Sequence, residues 1–442
     1  MNAMWLWPLW QAILLSFALG FTQRGKRRFV QWCTGLALNV EEHTITQSLV
    51  ALDRVQDWKA LESFAEYGSW SLWLTQFGIA RRIGHLPDRL WHGYHVWAAD
   101  DTKVHRSSPD VWGTCTFHEY SARCPNRAST VRAHNWLVSG ALLPSAEKPA
   151  HFLPVAGQLY FRKSQMPPAQ KGPPIAFRTK CQLLVGQLRD HAKACPGKNL
   201  GVFDGAFAVA SVVRPLLKPD GPGLPRIDVL TRLRHDAVLF APPPAQRKKG
   251  QRGRTPAWGK RLSPPRQGGR WPGSWQSGKA FVYGRQREVR YKELTCQWRV
   301  MGHDEQVKAV VAQVQDYKKR FTLVCSATEL SGLAIVELFC ARFRQEDAFR
   351  DLKQRLGWEE CRAWTRNPIE RTTAALLATY SALRLLQMRL QQEGDDWWLH
   401  PPWNPNKSRP SILDVERLLW QHRQGIQQCL ADWLGNAGNT TG

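Results

Sequence analysis

The sequence predicts an α/β protein, a mixed sheet flanked by helices, with an N-terminal helical region and a β-rich insertion. Three observations predict it. Short apolar runs that end in acids alternate with helix-periodic stretches between residues 94 and 233. Residues 241–278 break this texture with Pro, Gly, Gln, Lys and Arg, and strand-like alternation follows them. The first 85 residues carry helical periodicity with few turn signals. At 442 residues the chain is long enough for two or three domains and a sizeable core.

Taken in order, residues 1–88 form the helical region, and the apolar run at 4–21 opens it. That run is short, contains Pro8 and Gln11, and has no Lys or Arg before it, so it reads as a buried helix rather than a signal or a span. The main domain starts at residue 89. Its first strand is HVWAADD, an apolar run ending in Asp100 and Asp101. Further strands are expected at 133–143 and 152–162, a helix at 180–191, a strand at 199–207 carrying Asp204, a helix at 208–217 and a strand at 226–233. Residues 241–318 read as the basic, β-rich insertion. The domain resumes over 319–392 with the strand FTLVCSA, the FCARFRQEDAFRDLKQRLG helix and a long apolar helix from 368 to 391. Residues 393–442 read as a helical tail.

The chain carries 61 Lys+Arg against 36 Asp+Glu, a net charge of +25. Between Arg247 and Arg290 stand 13 basic residues and one acid, Glu288, about half of the whole surplus in one segment. Such a balance selects a polyanionic partner, and nucleic acid is preferred over a membrane surface because no segment reads as an anchor. Within the helical region, residues 44–52 and the Asp57-Trp58 step read equally as parts of a DNA-contacting module or as a cap on the main domain. The ten cysteines are scattered with no CxxC pair, as expected of reduced thiols in a cytoplasmic protein. Cys115, His118, Cys124 and His134 match no usual zinc spacing.

The helix expected at 339–357 orders its polar residues. At roughly 100° per residue, with Phe339 at zero, Arg342, Glu346 and Lys353 fall near about −60°, −20° and −40°, on one face. Phe349, Leu352 and Leu356 make the adjoining apolar stripe. Two strand-end acids and Glu346 can therefore converge at one sheet edge and hold two hard cations such as Mg²⁺ through oxygen ligands.

On these residues the chain resembles the DDE transposases of bacterial insertion sequences, specifically the group with a Tyr-x2-Arg-x3-Glu-x6-Lys signature and an RNase H-like core. Arg342-x3-Glu346-x6-Lys353 keeps that spacing, with Phe339 at the Tyr position, where the ring stays and the hydroxyl is lost. Asp100-Asp101-Thr102 matches the family's Asp-x-Thr motif, with Asp100 preferred as first acid and Asp101 its competitor. Asp204 in VFDGAF matches the second acid, and the 142 residues from there to Glu346 resemble the β-stranded insertion of the group.

The resemblance implies a DNA transposase that nicks the ends of a mobile element and transfers the freed 3′-hydroxyl to target DNA, working as a homodimer on paired ends. Asp100, Asp204 and Glu346 would be the catalytic acids and the ligands of two Mg²⁺ ions, with Mn²⁺ able to substitute. Arg342, Lys353 and Phe339 would face phosphates, and Arg247, Lys248 and Lys249 would contact DNA from the insertion. Related enzymes stabilise a flipped base on an insertion Trp, for which Trp271, Trp275 and Trp298 are candidates. Lys103 and Arg106 would add charge beside the first acid, while His134 reads as a core histidine. The rival readings are a metal-dependent nuclease without strand transfer and an inactive DNA-binding descendant of a transposase.

Overall fold

A computed structural model of the protein describes residues 3–119, 129–145, 150–167, 175–219, 221, 223–244, 255–394 and 397–435. Five helices come first: α1 (Ala3–Phe17), α2 (Gln23–Leu38), α3 (Ile45–Val50), α4 (Trp58–Tyr67) and α5 (Leu72–Gly84). Thr22, Thr44 and Ser71 start α2, α3 and α5 by accepting a backbone N–H from the first turn. Leu6, Trp10, Leu14 and Phe17 bury the apolar side of α1 in the core. Among the described residues no helix is long and apolar enough to cross a membrane.

The strands follow as β1 (His95–His105), β2 (Cys115–His118), β3 (Thr130–Leu143) and β4 (His151–Tyr160), then α6 (Lys180–Ala194), β5 (Asn199–Phe203), α7 (Ala210–Leu217), β6 (Ile227–Arg232) and β7 (Leu239–Phe240). A second group comprises β8 (Gln276–Val282), β9 (Arg285–Trp298), β10 (Val307–Val314) and β11 (Phe321–Cys325). The chain closes on α8 (Gly332–Ala341), α9 (Arg344–Gln354), α10 (Arg366–Gln391), α11 (Ile412–Gln421) and α12 (Arg423–Gly435).

The mixed sheet runs β2-β3-β1-β5-β6-β11-β10-β9-β7, with β4 added to β3 and β8 to β9. β1 is antiparallel to β3 and parallel to β5, and β5 is parallel to β6. The α/β expectation holds, and the strands between residues 276 and 314 extend this same sheet: β11 pairs antiparallel with β6, and β10 and β9 follow it outward. β1 lies deep in the sheet, so HVWAA is buried without alternation, as a strand covered on both faces must be. The 26-residue α10 packs on β4 and on α1 and α2, and is buried along most of its length.

Two elements depart from the sequence reading. The first strand, expected to end at Asp100 and Asp101, runs on to His105 because β3 pairs with it along that length, so Asp100 stands in mid-strand. The single helix expected at 339–357 is two helices, α8 and α9, joined at Arg342 and Phe343. The N–H groups of Arg342, Phe343, Gln345 and Glu346 bond three residues back, to Phe339, Cys340, Arg342 and Phe343, so the coil tightens there instead of running straight. Both linking residues keep right-handed helical backbone angles.

Candidate functional site

The register of β1 against β5 sets the site. Ala99 pairs with Phe203 in a parallel ladder, so the next step places Asp100 beside Asp204 where β5 ends. Asp100 Oδ1 accepts the Asp101 N–H at 2.9 Å, and the Asp204 carboxylate caps the turn that follows β5 by accepting the Gly205 N–H. Across the sheet, α9 carries Glu346 in its first turn. Gln345, fully buried, donates to the Val138 carbonyl at 3.0 Å, and Val138 is the β3 residue paired with Asp100. That bond pins the start of α9 over the row that holds Asp100.

Arg342 joins the parts. Its guanidinium donates to Asp100 Oδ2 at 2.8 Å and lies 3.8 Å from Glu346 Oε1, with 12% of the side chain exposed. Burial pushes the Asp100 carboxyl up to about 6; Arg342 opposes the rise, and Asp101 and Asp204 add to it. Burial also raises Glu346, opposed by Arg342 and reinforced by Asp347 and Asp204. Asp204 thus acts on both other acids, and the three share one electrostatic site in which carboxylates are held against their preference for water.

Asp101 faces the other way. Successive strand residues point to opposite faces, and Asp101 pairs with Lys180 of α6 at 2.7 Å. Geometry separates the two adjacent acids: Asp100 is the one on the side of Asp204 and Glu346.

The fit to a divalent ion turns on donor chemistry and on placement. Three carboxylates, two of them raised chiefly by burial, suit a hard cation. Among the described residues, however, no three His, Cys, Asp or Glu side chains close into a ligating group. Arg342 fills the space between Asp100 and Glu346 with its own positive charge. The acids fit the ion in kind, and Arg342 must yield for them to meet it.

The other expected residues divide. Lys353 bonds the Lys103 carbonyl at 2.6 Å and lies 3.8 Å from Glu359, so it stands further along β1 and contacts none of the three acids. Phe339 is buried, stacked near Phe321 and beneath the Arg342 guanidinium at 5.8 Å; it supports Arg342 rather than opening to a partner. Trp298 is 1% exposed in β9, paired with Leu239, and cannot meet a base in this arrangement. Trp271 is likewise buried and donates to the Ser263 carbonyl at 2.8 Å. Arg247, Lys248 and Lys249 lie outside the described residues, as does Cys124. Lys103 and Arg106 are engaged internally, with the His118 and Glu359 carbonyls. His134 is satisfied in the core between the Trp112 carbonyl and Arg106.

Two features carry no signal in the sequence. The β8–β9 hairpin turns on Tyr283 and Gly284, both at positive φ (48° and 83°), as a two-residue turn between paired strands demands. This places the Tyr283 ring edge-on to Phe343 at 5.8 Å, so the hairpin tip stands against the turn that joins α8 and α9. The second feature is a cleft of about 780 Å³ that starts at Asp204 and is lined by Arg232, Arg234, Arg266, Arg270 and Arg320. Those arginines come from separate segments and only folding gathers them.

Residues 16–305 match the family model described as DDE superfamily endonuclease, more than half of the chain. The chain belongs to that family. The membership makes it a nuclease- or transposase-type enzyme of DNA, in a family whose members typically use divalent metals. The matched range includes Asp100 and Asp204 and stops before Glu346, so the third acid rests on the signature spacing and on its place in the fold. No curated protein matches the chain.

Proposed function

We propose that this DDE endonuclease is a transposase of the insertion-sequence type, with an RNase H-like core, cutting DNA at element ends and joining the freed 3′-hydroxyl to target DNA. The observation that carries the reading is that Arg342 bridges Asp100 of β1 and Glu346 of α9, while Asp204 stands beside Asp100 where β5 ends. The strand order β4-β3-β1-β5-β6, with β3 reversed against β1 and with β1, β5 and β6 parallel, supports the core assignment.

In this reading Asp100, Asp204 and Glu346 hold Mg²⁺. The ions would activate the attacking oxygen and stabilise the leaving one. Arg342 leaves the acids for the phosphate next to the scissile bond, trading one anionic partner for another. Gln345 keeps α9 fixed while it does so. Phe339, lacking a hydroxyl, serves as the surface on which the guanidinium rests. Assembly as a homodimer on two element ends, with Lys353 and the basic segment at 247–249 on DNA, completes the proposal.

The test is Mg²⁺-dependent cleavage of supercoiled plasmid carrying the parent element's ends, comparing wild type with Glu346→Gln. End-specific cleavage that falls by roughly a thousandfold or more in the variant, with DNA binding retained, supports the assignment. Joined products select transposase over a nuclease without strand transfer. Tight binding with no cleavage by either protein leaves only the inactive DNA-binding reading.

A further inference from the structure

The cleft beside Asp204 is built from the end of β6 (Arg232), the turn after it (Arg234), a short turn of helix at Pro265–Arg270 and the start of β11. Its walls are tied together: Thr322 donates to the Pro265 carbonyl at 3.3 Å, and the Arg266 N–H to the His235 carbonyl at 3.3 Å. Arg232, Arg234, Arg266, Arg270 and Arg320 are all exposed at its mouth. Only Arg234 has a carboxylate within ion-pairing reach among the described residues, Asp236 at 3.7 Å. Elsewhere the fold neutralises many of its cations, as at Arg226, Arg287, Arg342 and Lys407. Here four guanidinium groups with no carboxylate partner among the described residues gather around one cleft, an arrangement whose self-repulsion an anion relieves.

Arg320 is also held in place. Its guanidinium lies 5.0 Å from the Trp275 ring, which Arg290 and Lys292 approach at 5.1 and 5.4 Å. Lys292 is buried and bonds the Gly269 and Trp271 carbonyls at 3.3 and 2.9 Å, fixing the turn opposite. Gly269 lets the guanidinium lie close over the turn: a Cβ there would come within 2.7 Å of Arg320 Nη1 and push that side chain aside. A planar, five-donor group locked against an aromatic face is preorganised for phosphate.

The volume decides the form of the polyanion. A cleft of about 780 Å³ falls within the range that holds one small molecule. A space of that size suits the phosphates and sugars of a few nucleotides of one strand. We propose that this arginine cleft binds a short unpaired DNA strand and leads it to Asp204, so that the enzyme engages ends whose strands have separated beside the acids. The inference rests on the function proposed above and adds to it a strand-selective binding site.

The experiment measures binding by fluorescence anisotropy in EDTA, where no cleavage occurs. It compares a blunt duplex with the same duplex carrying a short unpaired tail, over a salt series. Wild type should bind the tailed DNA about tenfold more tightly. Arg266→Ala/Arg320→Ala should abolish that increment and lower the salt slope on the tailed DNA by about 0.7 for each phosphate no longer neutralised, with blunt-duplex affinity kept. Arg266→Lys/Arg320→Lys retains the charge and should restore most of the slope, which separates missing charge from a failure to fold. An increment that survives in the alanine variant, or equal weakening on both DNAs, overturns the proposal. A tail increment that depends on these arginines, in a protein that never cuts DNA with Mg²⁺, would uphold the cleft and sink the catalytic reading. Cleavage with no such increment would do the reverse.

Discussion

Arg342 and Asp100, 242 residues apart in the chain, meet at 2.8 Å and are both largely buried. The pair ties the junction of α8 and α9 to the central strand and places a fixed positive charge where the proposed function needs a movable one. Removing the guanidinium should separate the two roles. Arg342→Gln should bind Mg²⁺ more tightly than wild type in DNA-free protein at pH 8, since a competing cation is gone, yet cleave DNA at least about a hundredfold more slowly for want of the phosphate contact. Calorimetric metal titration and a cleavage assay check both halves, and weaker metal binding in the variant would contradict the arrangement.

Asp100 and Asp101 offer a sharp contrast between neighbours. Asp101→Asn removes a part-exposed pair with Lys180 and should cost at most about 1 kcal/mol of stability, with cleavage kept. Asp100→Asn should abolish cleavage while leaving the fold intact. Urea melts and the plasmid assay on the two variants decide it, and the opposite pattern of activity would move the first acid to Asp101.

The insertion tryptophans should divide by burial. Trp298→Ala empties a fully buried site in β9 and should destabilise the protein by about 3–5 kcal/mol. Trp275 is half-buried, and its replacement by Ala should cost stability by less than half as much while weakening the hold on Arg320. Thermal melts of the two variants, with the tailed-duplex binding assay for Trp275→Ala, measure the difference.

What is legible in the sequence and what is not follow from range. The acids that follow apolar runs and the spacing of Arg342, Glu346 and Lys353 are local patterns, and the α/β layout follows from local periodicity; that β1 continues past Asp100 is not local, since it depends on pairing with β3. The face occupied by Asp100 requires the ladder with β3 and β5, which pairs residues far apart in the chain. Lys353 shares a face of α9 with Glu346, but it stands two turns further on, about 10 Å along the axis, where it bonds the Lys103 carbonyl and not the acids. Trp298 escapes a reading by alternation because residues 296–298 are all buried where a two-residue period would expose one of them. The arginine cleft is invisible in one dimension, since Arg232, Arg266 and Arg320 sit in separate segments with no shared spacing.

The last prediction concerns Glu416 of α11, which reaches toward α9 and lies 3.8 Å from Arg355. One of its carboxyl oxygens is buried without a hydrogen-bond partner. Burial pushes this carboxyl up to about 7, against the opposing pull of Arg355 and with Asp351 adding to the rise. The folded form therefore prefers the protonated acid. A carboxyl raised on folding contributes stability that is fully present below its unfolded value, near 4.5, and is lost as pH rises through about 7. Glu416→Gln keeps the neutral shape at every pH. It should match wild type near pH 4.5 and exceed it at pH 8 by about 3 kcal/mol, the size set by the shift itself. Urea unfolding at the two pH values measures this directly. A variant no more stable than wild type at pH 8 would mean that Arg355 holds Glu416 ionised, and that the contact between α11 and α9 is a salt bridge and not a buried acid.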